Sequence, residues 1–312
     1  MSDGKDARVL VAASVAAMGT LALAYYLLRS RRLSTQRASL IQSTVEPLLT
    51  EGERALIAEQ PVSGAELPLD FYVSEVAQNL ADVRERLSTA ATAAGRSDAQ
   101  PRLVAVSKTK PIDMVHEAYA AGQRHFGENY VQELVSKAPQ VASDVRWHFI
   151  GGLQSNKAKE LVKGAGNGLA VVETVDSAKL AEKLNAAVEG LETPRPNPLD
   201  VLIQVNTSPW EGSKGGVLVA DVLTLAMHIR STCPRLRLAG LMTIGAPQNT
   251  SCFTTLCECR DELAKRLRVP PRSLELSMGM SGDFEAAIAA GSDSVRVGSS
   301  IFGQRDYSAS KK

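Results

Sequence analysis

Residues 103–126 read LVAVSKTKPIDMVHEAYAAGQRHF. The run Leu103–Ser107 has no apolar–polar alternation, as suits a strand buried on both faces. Beyond Pro111, apolar residues recur at helical spacing over Met114–Ala121, and a second short run, Arg124–Phe126, follows. Strand, crossover helix and strand form the unit from which parallel sheets are built.

The same rhythm continues through the chain. Six further runs follow: Trp147–Ile150, Ala170–Thr174, Val201–Val205, Ala239–Thr243, Leu274–Ser277 and Val295–Val297. Helical patterns lie between them at Asn156–Lys163, Ser177–Val188, Val219–Arg230, Phe253–Leu267 and Phe284–Ala290. Before the first run, Phe71–Ala94 carries Val73, Val76, Leu80, Val83 and Leu87 on one face and reads as an opening helix. Eight strand–helix units match a closed (β/α)₈ barrel, an α/β fold of the TIM type. An open doubly wound sheet is the rival, but the G-x-G-x-x-G turn that normally follows its first strand is not present. The barrel is expected over residues 71–305, with a polar tail at 306–312.

The segment before the barrel is different in kind. Val9–Leu28 contains no charged residue and, at about 1.5 Å per helical residue, is long enough to cross a bilayer core of about 30 Å. Lys5 and Arg8 before it are balanced by Asp3 and Asp6, whereas Arg29, Arg31, Arg32 and Arg37 follow it with no acid until Glu46. That asymmetry predicts a transmembrane helix with the barrel on the cytosolic side, in the mitochondrial outer membrane or the endoplasmic reticulum. The alternatives are a cleaved signal, for which Ala22-Leu23-Ala24 would be the site, and an organellar presequence. Residues 1–8 are then a short tail and residues 29–70 a linker broken by Pro47, Pro61 and Pro68.

Composition narrows the function classes. The formal charge is +1 and aromatic residues are 4% of the chain, which removes the basic, base-stacking surface of a nucleic-acid binder. Cys252, Cys257 and Cys259 lack the paired C-x₂-C knuckles of a structural zinc site, so reduced thiols on a helix are expected and no metal. On that helix Cys252 and Cys259 share a face and Cys257 does not.

Chemistry in such a barrel sits on loops after the carboxyl ends of the strands. Alternation puts Val104, Val106 and Lys108 on one face, so Lys108 ends an apolar inward row. Partial desolvation there makes an amine a better nucleophile toward an aldehyde. Lys110 has the same parity but stands beside Pro111, where the strand ladder is ending. A lone lysine is more often a surface residue, and the end of the chain shifts that balance. Strands seven and eight finish in Ser277-Met278-Gly279-Met280-Ser281-Gly282 and Arg296-Val297-Gly298-Ser299-Ser300. Their small residues let backbone N–H groups approach an anion, a helix is expected to start near Gly282, and barrels often bind phosphate after these strands. A phosphate cradle and an inward lysine together suggest pyridoxal 5′-phosphate.

Several runs carry a family resemblance. They are Val106-Ser107-Lys108-Thr109-Lys110-Pro111, Phe126-Gly127-Glu128-Asn129-Tyr130-Val131-Gln132-Glu133, Trp147-His148-Phe149-Ile150-Gly151, Leu153-Gln154-Ser155-Asn156-Lys157, Gly240-Leu241-Met242-Thr243-Ile244-Gly245, Ser277-Met278-Gly279-Met280-Ser281 and Arg296-Val297-Gly298-Ser299. In order and content they resemble the pyridoxal phosphate homeostasis protein family over about residues 72–305. The resemblance implies the fold type III barrel of alanine racemase without its second domain. It implies Lys108 as the Schiff-base lysine, with Ser281, Gly298 and Ser299 on the phosphate and Arg296 near the pyridine nitrogen. Asn129 and Met278 would line the ring, and His148 and Asn156 the rim, although a lone His in an apolar strand is more often a satisfied structural residue. Asn129 has a second reading as the cap of the following helix.

An arginine at the pyridine nitrogen disfavours its protonation, which weakens the ring as an electron sink. A monomeric cofactor carrier that serves pyridoxal phosphate-dependent apoenzymes is therefore expected, with no catalytic residue of its own. The alternative is an amino-acid racemase or decarboxylase. Racemases of this fold use a second base resembling a tyrosine of the missing domain, and Tyr119, Tyr130 and Tyr307 are not expected to follow a strand end. Gly152 and the segment Ser208-Pro209-Trp210-Glu211 depart from the family pattern, as does the apolar Val9–Leu28.

Overall fold

Ser74 is the first residue that the structure describes. Its hydroxyl accepts the Ala77 N–H at 3.2 Å and caps α1, Glu75–Ala93. The computed structural model describes residues 74–304, apart from 98, 209–214 and 247–248. The expected membrane span, the linker and the polar tail lie outside the described residues, as do Pro209-Trp210-Glu211. Among the described residues no helix is long and apolar enough to cross a membrane.

Eight parallel strands close on themselves: β1 Arg102–Val106, β2 His125–Glu128, β3 Arg146–Phe149, β4 Leu169–Val175, β5 Leu199–Gln204, β6 Leu236–Met242, β7 Glu275–Met280 and β8 Ser294–Val297. Closure is made by β1 and β8, with Val104 opposite Arg296 and Ala105 opposite Val297. Each expected run coincides with one strand, and the open-sheet alternative is excluded.

The connecting helices are α2 Ile112–Ala120, α3 Val131–Lys137, α4 Ala158–Ala165, α5 Ala178–Glu189, α6 Val222–Thr232, α7 Ser251–Leu267 and α8 Phe284–Ala289. A last turn, α9, spans Ser299–Phe302. Helical periodicity does not reveal α3 and α9, because one or two turns are too short to establish a repeat. On α7 the cysteines fall as expected, with Cys252 and Cys259 buried and Cys257 partly exposed.

Strand alternation sorts the side chains into two layers. Leu103 and Ala105 join Phe126, Trp147, Phe149 and the helices in the main core. Val104 and Val106 face the barrel interior, where their methyls lie 3.0 and 3.3 Å from where a Cβ on Gly127 would sit. Val171, Leu202 and Met242 form a separate apolar cluster inside the barrel. Below them the interior is polar, which directs attention to what those groups hold.

Candidate functional site

A cavity of about 580 Å³ opens at the carboxyl ends of the strands. Lys108, Asn129, Ser281, Arg296, Gly298 and Ser299 all line it, together with Lys110 and Gly282. The structure therefore brings together every expected site residue except Met278. Met278 is fully buried in the layer between barrel and helices. The reason is parity: the Ser277 hydroxyl points inward to Glu173, so its neighbour points out. Met280 lines the cavity instead.

The β1 loop is held from behind. Thr109 has φ 62°, a costly conformation for a β-branched residue. Its N–H donates to both carboxylate oxygens of Glu133, at 3.1 and 2.9 Å. Lys137 donates from Nζ to the Ser107 carbonyl (2.9 Å), to Glu128 Oε1 (2.8 Å) and to Glu133 Oε2 (3.3 Å). The Ser107 hydroxyl donates to Glu128 Oε1 at 2.7 Å. Burial pushes the Glu128 carboxyl up to about 7, against the pull of Lys137. This clamp fixes the residues on either side of Lys108. Lys110 Nζ donates to the Gln304 carbonyl at 2.7 Å, so its ammonium is engaged at the end of the described chain.

At the opposite wall, the Ser281 hydroxyl accepts the Gly298 N–H at 3.2 Å. A Cβ on Gly298 would lie 3.2 Å from the Val106 carbonyl oxygen, so glycine lets the start of α9 rest on the end of β1. The amides that open α9 have no carbonyl one turn behind them and are available to an anion. Asn129 Oδ1 is buried and accepts no hydrogen bond. Tyr130 occupies the N-cap of α3 without a side-chain bond, so Asn129 does not serve as the cap. Gly151 explains its position, since a Cβ there would sit 2.0 Å from the Asn129 carbonyl oxygen.

Beneath the cavity a polar chain runs down the barrel. Arg296 donates to Ser277 Oγ at 2.5 Å and to the Thr243 carbonyl at 2.7 Å, and lies 3.8 Å from Glu173. Glu173 accepts from Ser277 Oγ at 2.6 Å and is 2.6 Å from His148 Nδ1. His148 Nε2 is 3.0 Å from His125 Nδ1. A carboxylate only accepts, so His148 donates to Glu173 from Nδ1, and its Nε2 shares one proton with His125 Nδ1. Burial raises the Glu173 carboxyl, but the His148 hydrogen bond and charge, with Arg296 and Ser277, outweigh it and hold the group below its usual range.

Two expectations for the rim are corrected here. His148 lies in this interior chain, held by Glu173 and His125, and lines the opposite end of the barrel rather than this cavity. Asn156 sits in a 3₁₀ turn on the outside of the barrel, beyond the strand-end loop. Tyr130 does follow a strand end, that of β2, yet it is 54% exposed and is not among the cavity-lining residues.

A closed parallel barrel with a lysine on the loop after its first strand, facing glycine and serine residues after its last two strands across one cavity, has the architecture of the alanine racemase class. The alanine racemase N-terminal domain family matches residues 78–306. The pyridoxal phosphate homeostasis protein of Bos taurus is 51% identical over 220 residues, covering 67% of this chain and 79% of that protein. The protein of that name from Escherichia coli K12 is 44% identical over 248 residues, covering 76% and 99%. Among solved structures, PipY of Synechococcus elongatus PCC7942 with pyridoxal phosphate bound superposes with a TM-score of 0.60 at 32% identity. That match covers 73% of this chain and 100% of PipY. The chain belongs to the pyridoxal phosphate homeostasis protein family.

Proposed function

We propose that this chain binds pyridoxal 5′-phosphate reversibly at the carboxyl end of its barrel, limits the free aldehyde and passes the cofactor to apoenzymes that depend on it. The observation that carries this reading is the meeting of the Lys108 amine and the Ser281–Gly298–Ser299 cradle across one cavity. The residues fit the group. Lys108 supplies the amine that holds it covalently. Ser281, Gly298 and Ser299 supply hydroxyls and amides for its phosphate. Asn129 Oδ1, buried without a donor, suits a hydroxyl on the ligand. When bound, the cofactor supplies an aldehyde that captures amines and a ring that accepts electrons. Arg296 is locked by Ser277 and Thr243, so it presents a fixed positive charge at the floor and favours an unprotonated ring nitrogen.

The racemase reading is weaker for a specific reason. It requires a second acid–base group facing the first across the ring, and among the described residues no tyrosine lines the cavity. The barrel is proposed to act as a monomer, tethered through Val9–Leu28 to the mitochondrial outer membrane or the endoplasmic reticulum and facing the cytosol. The test is to load the full chain with pyridoxal phosphate and add L- and D-amino acids. A stable visible spectrum without product supports the carrier, and turnover to the opposite enantiomer or an amine would establish the enzyme.

A further inference from the structure

The barrel has a second cavity, of about 560 Å³, at its other end. Its walls are the amino-terminal residues of the strands, among them Arg102 of β1, Arg146 of β3 and Arg237 of β6, and Arg195 from the segment before β5. This end of such barrels ordinarily serves stability, and two of the arginines fit that role. Arg102 pairs with Glu275 at 2.5 Å, and Arg237 holds Asp200 bidentately at 2.5 and 2.6 Å. The other two do not. Arg195 donates from both terminal nitrogens to the Gly166 and Leu169 carbonyls, at 2.8 and 2.7 Å, which fixes its guanidinium without neutralising it. Its Nε is buried and has no hydrogen-bond partner. Arg146 has no carboxylate partner among the described residues. Four arginines face two carboxylates across this basin, and although Asp200 also acts on Arg195, positive charge is in excess.

Fixed, uncompensated guanidinium groups around a cavity cost free energy through mutual repulsion unless an anion joins them. Arginine presents planar donors that match phosphate oxygens in pairs. Asn167 and Asn197 on the same wall add neutral donors. The floor is His125, which stays uncharged beside these cations. Val171 belongs to this cavity and Met242 to the upper one, and the two sit in one apolar cluster with Leu202, so an apolar plug divides the ends. We propose that the basin at the amino end of the barrel is a second ligand site, which takes a small phosphorylated anion against Arg146 and Arg195.

Pyrophosphate is the probe. It is titrated calorimetrically into the full chain at constant ionic strength, with amide NMR shifts to locate it. Saturable binding is expected, with shifts at Arg146, Asn167 and Asn197. Filling the upper cavity beforehand, by borohydride fixation of pyridoxal phosphate and removal of the excess, should leave that binding unchanged. Arg146→Glu should weaken it by about tenfold or more, the scale of losing one charge-assisted contact. Arg146 is an exposed strand-end residue, and a far-UV spectrum checks that this variant folds. Absence of saturable binding, undiminished binding by Arg146→Glu, or its loss once the upper cavity is filled would each overturn the proposal.

Discussion

Lys137 reaches Glu128 at 2.8 Å, with its side chain 9% exposed and the carboxylate fully buried. The pair lies directly behind the loop that carries Lys108, and Lys137 also holds the Ser107 carbonyl. Removing Lys137 leaves the Glu128 carboxylate buried without its cation. Lys137→Met should therefore cost about 3–5 kcal/mol in urea denaturation. The double variant Glu128→Gln/Lys137→Met should recover most of that loss, because neither group is then left charged. Additive losses in the cycle would show that the pair is not coupled.

Lys108 and Lys110 both line the cavity, and borohydride reduction of the loaded protein separates them. Peptide mass spectrometry should find the cofactor on Lys108. Lys108→Ala should abolish trapping, and Lys110→Ala should retain it. Trapping on Lys110 in the wild type would reverse the assignment.

The phosphate wall is tested by comparing two ligands. Ser281→Ala should weaken retention of pyridoxal phosphate by about 1.5–3 kcal/mol, the range for a hydrogen bond to a charged group. Pyridoxal, which has no phosphate, should bind wild type and variant alike. Equal retention of pyridoxal phosphate by both proteins would remove Ser281 from the site.

His125 sets an acid limit. Burial, reinforced by His148, Arg102 and Arg146, pushes its pKa from 6.5 down to about 3. The unfolded chain therefore binds this proton more readily than the folded one. Stability from His125 is present above pH 6.5 and is lost as pH falls toward about 3. His125→Asn should flatten the stability profile in that window. An unchanged slope would mean that His125 does not titrate as its surroundings dictate.

The amino-terminal segment makes a topological prediction. Full-length protein in cells should resist carbonate extraction, and protease added to intact organelles should digest the barrel. A protected barrel, or a mature chain beginning near Tyr25, would identify Val9–Leu28 as a targeting sequence.

Much of this architecture is legible in the sequence, for physical reasons. Parallel strands buried on both faces leave unalternated apolar runs, and every such run is a strand. That Lys108 and the glycine–serine strand ends share one cavity is legible because a barrel gathers the residues after its strands at one end. The supporting groups are harder to read. Glu173 stands out only as a charge within the apolar run Ala170–Thr174, and nothing local announces its partner Ser277, which lies 104 positions away. Lys137 and Glu133 show the i,i+4 spacing of a helical pair, yet α3 is too short to be recognised by period. Met278 was expected at the ring through family resemblance, and strand parity with Ser277 sends it to the outer core.

Closure of the barrel has a consequence for synthesis. Lys108 follows the first strand to be made, while Arg296, Gly298 and Ser299 belong to the last and its turn, and these strands are neighbours in register. A nascent chain that has emerged only as far as Asp293 has Lys108 and Ser281 without Arg296, Gly298 and Ser299. Capture of the phosphorylated ligand at both walls thus becomes possible only after the ring has shut. Once it does, the ligand ties the two ends of the domain and adds its binding free energy to the seam.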